Sequence, residues 1–349
     1  MVADNDAPGP DQVLAAFGIE GTATAMTPVR GAWSNRVYRV DAGKHSFAVK
    51  EMRNPWADPN WSHWLAESWA FERHALAAGV AAPRPVPNPA DGGCLAWVPR
   101  RDPALSDRVP VRLHRWVDGR QVAPAPVTPQ IAGWAGQVLA LLHGMKIRPT
   151  DRSLFPVLNF DTADRWPELA DAAHWHGATA GHQQCATWAD LMDTVRPCVA
   201  LMADLARSAG QLPEEEVLTH GDVDQKNLIV SSDGPVLCDW DLAAPLVPRR
   251  ELADVALSLA GTEAAEIARE VVRSYRRAGG DDTDIDTVDL GPSMMTGLDW
   301  VAFNVERAIG ARPASRAETA LAHELLPGLL AAIPRQLEKA EGVRDFLRL

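Results

Sequence analysis

Two periodicities divide the chain. Over the first third, apolar residues recur at alternate positions in short runs: Val37-Tyr38-Arg39-Val40, His45 to Met52, Cys94 to Val98 and Val111 to Val117. Period-2 runs predict half-buried strands. Turn segments at Gly31 to Arg36 and Asp41 to Lys44 join the first of them. Two helices are expected among the strands, over 11–18 and over Trp61–Ala78, with Gly79 as the C-cap of the second. From Val127 onward the period becomes helical. Ile131, Trp134, Val138, Leu141 and Leu142 predict a helix over 127–143. Further helices are predicted over 185–209, from Pro248, and over 262–277, 293–309, 316–333 and 335–346. Residues 145–186 show no clear period and read as an irregular surface insertion.

One segment interrupts the helical part. Leu228-Ile229-Val230 and the run Pro235 to Asp239 flank a turn containing Asp233-Gly234, which predicts a β-hairpin. With the turn centred on Asp233, Val230 faces Val236 and Asn227 faces Asp239. Opposed residues lie about 4.5–5.5 Å apart, so an amide oxygen and a carboxylate meet at the hairpin's open end. Asp222 stands just upstream, in Leu218-Thr219-His220-Gly221-Asp222. Such a set suits Mg²⁺, a hard cation commonly held by one or two carboxylates plus substrate phosphates, and it leaves one carboxylate as a base.

The stretch His220-Gly221-Asp222-x-x-x-x-Asn227, followed by Asp239-Trp240-Asp241, resembles the aminoglycoside phosphotransferase and choline/fructosamine kinase superfamily of small-molecule kinases. The resemblance implies an α+β, bilobal, protein-kinase-like fold. A small β-rich nucleotide lobe would occupy 1–120, and a large helical lobe with the catalytic loop and acceptor site 121–349. It implies transfer of the γ-phosphate of ATP or GTP to a hydroxyl of a small molecule, with Mg²⁺. Asp222 would receive the hydroxyl proton, and Asn227 and Asp239 would hold the metal. Lys50, at the end of a Val-Lys strand, would steady the phosphates. Glu67 or Glu72 would pair with Lys50, with Glu67 favoured. Ser34 and Asn35, in a turn with a single glycine, would help cradle phosphates through the backbone. Arg115, Trp116 and Val117 would form the adenine-reading hinge. His220 would orient the loop, Asp241 would lie outside the metal ligands, and Asp254 would brace the loop by accepting backbone N–H bonds. Two other readings are a metal-dependent phosphohydrolase using Asp222, Asp239 and a histidine, and a non-catalytic nucleotide-binding protein of this fold. A Walker phosphate loop is absent from the sequence.

Composition narrows the partners. A hydrophobic share of 46% in 349 residues supplies a real core, and the net charge is −12. An acidic chain has no long-range attraction for nucleic acid or anionic membrane. No apolar run approaches the roughly 18 residues that read as a bilayer span, and Met1 to Gln12 is polar, unlike a secretory leader. The 4 cysteines are scattered (Cys94, Cys185, Cys198, Cys238) and read as reduced thiols. The expectation is a cytoplasmic monomer or homodimer.

The acceptor is expected against the helical part. From Leu290 onward seven acidic residues face seven basic ones, which argues against a strongly polycationic acceptor. On the helix of 293–309, Asp299 and Glu306 share one face and Trp300 and Asn304 another. With Asp224 they suit a hydroxylated, sugar- or antibiotic-like ring bearing perhaps one amine.

Overall fold

The computed structural model describes residues 6–348, apart from 30–34, 54–57, 103, 106, 156–159, 181–182, 212–214, 262–263 and 283. In chain order the elements are α1 (Pro10–Ala16), β1 (Ala25–Val29), β2 (Arg36–Ala42), β3 (His45–Glu51), α2 (Trp61–Ala77), β4 (Pro85–Val86), β5 (Ala96–Pro99), β6 (Arg108–Arg115) and β7 (Arg120–Gln121). There follow α3 (Pro129–Gly144), α4 (Asp161–Asp164), α5 (Trp166–Ala180), α6 (Gln183–Gly210), β8 (Val217–Thr219), β9 (Leu228–Ser231), β10 (Gly234–Leu237) and β11 (Ala244–Leu246). The chain closes with α7 (Pro248–Ala260), α8 (Ala265–Arg277), α9 (Gly291–Ala308), α10 (Arg316–Glu341) and α11 (Val343–Leu347).

The alternating runs become an antiparallel sheet in the order β1-β2-β3-β6-β4, with β5 also paired to β6. Alternation works as expected: Val40, Phe47, Val49, Val111 and Leu113 point into one apolar cluster, which α1 closes with Val13 and Leu14. Helix α2 packs elsewhere. Its Trp64, Phe71 and Ala75 belong to the larger cluster formed by the helical part, so it joins sheet to helices. The result is a bilobal α+β protein. Strand β7 pairs with β9, Arg120 opposite Val230, and so ties the exit from the first sheet to the hairpin. Among the described residues no helix is long and apolar enough to cross a membrane.

Three expectations fail locally. The hairpin register is one residue tighter than expected: Ser231 faces Gly234 and Ile229 faces Val236. The turn is the two residues Ser232-Asp233, with the Ser231 hydroxyl accepting the Asp233 N–H at 3.1 Å. Residues 145–186 are not irregular, since α4, α5 and the start of α6 fall there. Trp166 and Trp188, both buried, anchor α5 and α6; their wide spacing hid the period. Finally, α10 runs through Pro334 without a break. A proline forfeits one hydrogen bond and strains the turn before it, and here Leu330, Ile333 and Leu337, all buried, hold both halves to the core.

Candidate active site

The segment between β8 and β9 carries the site. Gly221 has φ +77, and a Cβ there would lie 2.6 Å from the Leu242 carbonyl oxygen. Only glycine meets both demands, which explains the residue between His220 and Asp222. His220 is buried, and burial lowers its pKa. Its Nδ1 accepts the Asp222 N–H at 3.2 Å, and its Nε2 donates to the Cys238 carbonyl at 3.0 Å. Both nitrogens of a neutral ring are therefore committed, one to the loop and one to the hairpin.

Asn227 is buried at the loop's end. Its Nδ2 donates to the Asp222 carbonyl at 2.8 Å and to the Asp222 Oδ2 at 2.9 Å. The amide nitrogen is thus turned toward Asp222, and the oxygen is the atom left to offer a cation. Lys226 Nζ lies 3.0 Å from the other Asp222 oxygen. Because of the tighter register, Asn227 stands across from Cys238, whose N–H donates to the Asn227 carbonyl at 2.8 Å. Asp239 lies one residue past the pairing and takes the left-handed conformation, φ 65 and ψ 63. That conformation is uncommon outside glycine, though aspartate is among the residues that tolerate it. The Asp239 carboxylate is 42% exposed and lies 2.5 Å from Lys50 Nζ.

Lys50 is paired with Asp239 and with Asp241, not with a glutamate of α2. Burial opposes its charge, but the two carboxylates outweigh burial and raise its pKa. This corrects the expected Lys50–Glu67 pair and its Glu72 alternative. Glu67 and Glu72 are five residues apart, about 140° around a helix of 3.6 residues per turn, so they face different ways. Glu67 accepts the Thr150 N–H at 3.3 Å. Glu72 is fully buried and takes Arg112 at 2.7 Å and His114 Nε2 at 3.0 Å. Arg112 sits opposite Lys50 in the sheet and also pairs with Asp241. Asp241 is therefore held by Lys50, Arg112 and, at 3.2 Å, Asn35 Nδ2. Burial disfavours its charge, yet Lys50 and Arg112 keep its pKa below the usual carboxylate range.

Several assignments move. The brace of the loop is Glu251, not Asp254. Glu251 accepts the Gly221 N–H at 2.8 Å, the Thr219 hydroxyl at 2.6 Å and His143 Nε2 at 2.7 Å. Asp254, three residues onward on α7, keeps an open outer face. Asp224 accepts the Lys226 N–H at 3.1 Å and the Ser258 hydroxyl at 2.6 Å, so it builds the loop. In the expected hinge, the sheet already takes two donors: Arg115 N–H goes to Arg84 and Trp116 N–H to Ser46. Asn35 accepts the Arg53 N–H at 2.9 Å in addition to its bond to Asp241, which makes it a strut beside Lys50. Ser34 lies outside the described residues.

The expected acceptor wall on α9 is only partly available. Asn304 is buried and returns its Nδ2 to the Trp300 carbonyl at 2.8 Å. Glu306 is paired with Arg312 at 2.7 Å. Trp300 stacks on Phe303 with centroids 5.4 Å apart. Asp299 remains distinctive: its Oδ1 is buried with no partner among the described residues, and burial raises its pKa.

Sequence reasoning missed Arg112, His114 and Glu251. Each carried a weak signal. Arg112 and His114 interrupt the apolar positions of a buried strand, and Glu251 stands in the first turn of a helix just before Leu252 and Ala253.

Residues 25–286 match the model of the APH family, described as a phosphotransferase enzyme family, over about three quarters of the chain. The chain belongs to this family. The phosphotransferase is accordingly a small-molecule kinase with a hydroxyl acceptor, and the phosphohydrolase and non-catalytic readings fall away. No curated protein matches its sequence. Three similar solved structures agree on the fold. A spectinomycin phosphotransferase in complex with ADP and spectinomycin shares 11% identity over 93% of this chain and 96% of its own, with a TM-score of 0.62. A microcompartment-associated aminopropanol kinase shares 19% over 95% and 97%, with a TM-score of 0.60. An amicoumacin kinase in complex with AMP-PNP and Ca²⁺ shares 14% over 91% of each chain, with a TM-score of 0.57.

Proposed function

We propose that this phosphotransferase moves the γ-phosphate of ATP or GTP to a hydroxyl of a small, sugar-like or antibiotic-like molecule. The observation that carries the reading is the bond from Asn227 Nδ2 to Asp222 Oδ2, with Asp239 aimed at Lys50 beside it. Asp222 Oδ2 is oriented by Asn227 and Oδ1 by Lys226, so the carboxylate is held ready to align an acceptor hydroxyl and take its proton. In a loose phosphoryl-transfer transition state the protein's work is mainly positioning and charge. Lys50 supplies a fixed cation for the phosphates. The lobes 1–120 and 121–349 then serve nucleotide and acceptor respectively. The solved complexes with ADP and with AMP-PNP and Ca²⁺ support a nucleotide and a divalent cation in this fold.

The donor set fits Mg²⁺. Among the described residues no cluster of three or more His, Cys, Asp or Glu side chains forms a metal cage. Mg²⁺ needs none, being held by one or two carboxylates with phosphates and water completing the shell. Asp239 offers an exposed carboxylate and Asn227 an amide oxygen. When bound, the ion would offset negative charge on the phosphates.

The acceptor meets Asp222 from the side lined by Asp254 and the start of α9, where Ser293 bonds to Asp254. A screen of ADP release over neutral and mono-amine polyols, nucleosides and multiply cationic aminoglycosides tests the reading. Turnover with a hydroxyl compound, lost in Asp222→Asn, supports it. Best catalytic efficiency with compounds bearing four or five ammonium groups would overturn the acceptor class.

A further inference from the structure

A cavity of about 400 Å³ lies at the end of α9 and the turn into α10, closed on one side by α5. Its wall includes His176, Arg307, Arg312, Pro313, Thr319 and His323. This volume falls in the range of small-molecule sites. Its charge is unusual. The Arg307 side chain is only 9% exposed, and its Nε has no partner among the described residues. Its ion pair with Glu318 Oε1 is long, at 3.6 Å, and Arg53 holds that oxygen at 2.8 Å. Glu318 Oε2 is likewise taken, by the Ser315 N–H at 2.8 Å. A further carboxylate, Glu306, is paired with Arg312 at 2.7 Å.

Two guanidinium groups therefore converge on one ring. Arg307 lies 4.1 Å and Arg312 4.8 Å from the Phe303 centroid. A buried cation is costly unless an anion or hydrogen-bond acceptor compensates it. Among the described residues, Arg307 and Arg53 share Glu318, and Arg53 holds it the closer of the two. Burial depresses the Arg307 pKa, Glu318 offsets this only in part, and Arg53 and Arg312 add repulsion. An aromatic face contributes a weak attraction and does not supply a counter-charge.

The geometry points to this cavity as a binding site for the carboxylate or phosphate group of a small molecule, with Arg307 as its principal ligand and Arg312 beside it. Arginine suits such a group because its planar donors match two oxygens at once. The inference does not rest on the proposed phosphoryl transfer, and its ligand residues are separate from Lys50, Asp222 and Asp239. Glu318 connects the cavity to the nucleotide end of the cleft through Arg53, whose N–H bonds to Asn35.

The test is calorimetric titration of the full-length protein, without nucleotide or divalent metal, using inorganic phosphate and, separately, succinate. At least one anion is expected to bind the wild type. Arg307→Gln is expected to weaken that binding tenfold or more, and Lys50→Ala to leave it unchanged. Where Arg307→Gln does not fold, Arg312→Gln carries the same expectation. The relative affinities of the two probes distinguish a phosphate from a carboxylate ligand. The proposal is overturned if neither anion binds, if the arginine variants bind as the wild type does, or if Lys50→Ala abolishes binding.

Discussion

Arg112 and Glu72 form an ion pair of 2.7 Å in which the arginine is 1% exposed and the glutamate 0%. This pair replaces the lysine–glutamate pair expected of Lys50. It sits behind the cleft and reaches it through Asp241, which Arg112 and Lys50 share. The guanidinium also lies 5.7 Å from the Trp69 ring centroid. Sheet, helix α2 and the end of the hairpin are thereby fastened at one point.

Removing one partner of a buried pair leaves an uncompensated charge, at a cost of about 3–5 kcal/mol. Arg112→Met is therefore expected to lose stability of that order in urea unfolding. It should also raise the KM for nucleotide, because Asp241 and Lys50 lose their alignment. Arg112→Lys, without a planar fork, should fall between the two. Wild-type stability and KM in Arg112→Met would show that the network is idle.

Asp222→Asn is expected to keep the fold and nucleotide affinity while lowering turnover by about 10²–10⁴. Calorimetric nucleotide binding beside steady-state rates separates the two effects. Near-normal turnover in the folded variant would remove Asp222 from the reaction.

Glu67 and Lys50 should respond differently. Glu67 is half-buried on α2 and contacts the Thr150 backbone. Glu67→Ala should shift stability by no more than about 0.5 kcal/mol, as surface changes usually do, and leave nucleotide KM unchanged. Lys50→Ala should raise that KM sharply. A damaging Glu67→Ala would revive the expected pair.

The brace can be checked against its neighbour on α7. Glu251 receives three donors, so Glu251→Ala leaves buried partners unsatisfied and should destabilise by a few kcal/mol, about 1–3 for each orphaned group. It should also lower kcat through the loosened Gly221 turn. Asp254→Asn should leave the loop in place, as read from an unchanged nucleotide KM.

Asp254 also predicts a pH dependence. Desolvation by its neighbours pushes its pKa up to about 6, the Ser293 bond works against this, Asp222, Glu251 and Asp224 reinforce it, and its exposed outer face weakens the effect. Its open outer face admits solvent, whose screening reduces the consequence for stability. The native state then holds a proton that the unfolded chain releases near the ordinary carboxylate range. Its contribution to stability is present at acid pH and is lost as pH rises toward about 6. Asp254→Asn should flatten that part of the curve. NMR titration should place the carboxyl midpoint above 5, and a midpoint near 4 would refute the shift.

The sequence by itself determined most of the element order outside 145–186 and brought the residues of the proposed catalytic loop together. Period-2 runs gave β2, β3 and β6, and helical spacing gave α3 and the later helices, because which face of an element is apolar is a local property. His220, Gly221, Asp222, Asn227 and Asp239 were legible because they lie within twenty residues, where a turn and a hairpin fix their relation. Tertiary structure alone decided what pairs with Lys50. Glu67 and Glu72 on α2, Arg112 on β6 and Asp241 after β10 come from three segments, and a buried charge takes whichever opposite charge the packing brings within reach. The same holds for Glu251, whose role depends on α7 meeting the loop, and for Asn304 and Glu306, which the sequence offered to a ligand and neighbouring turns of the fold had already claimed. The hairpin register was decided by one residue of turn length, a difference too small for alternation to reveal and large enough to set Asp239 past the ladder, in the left-handed conformation that faces Lys50.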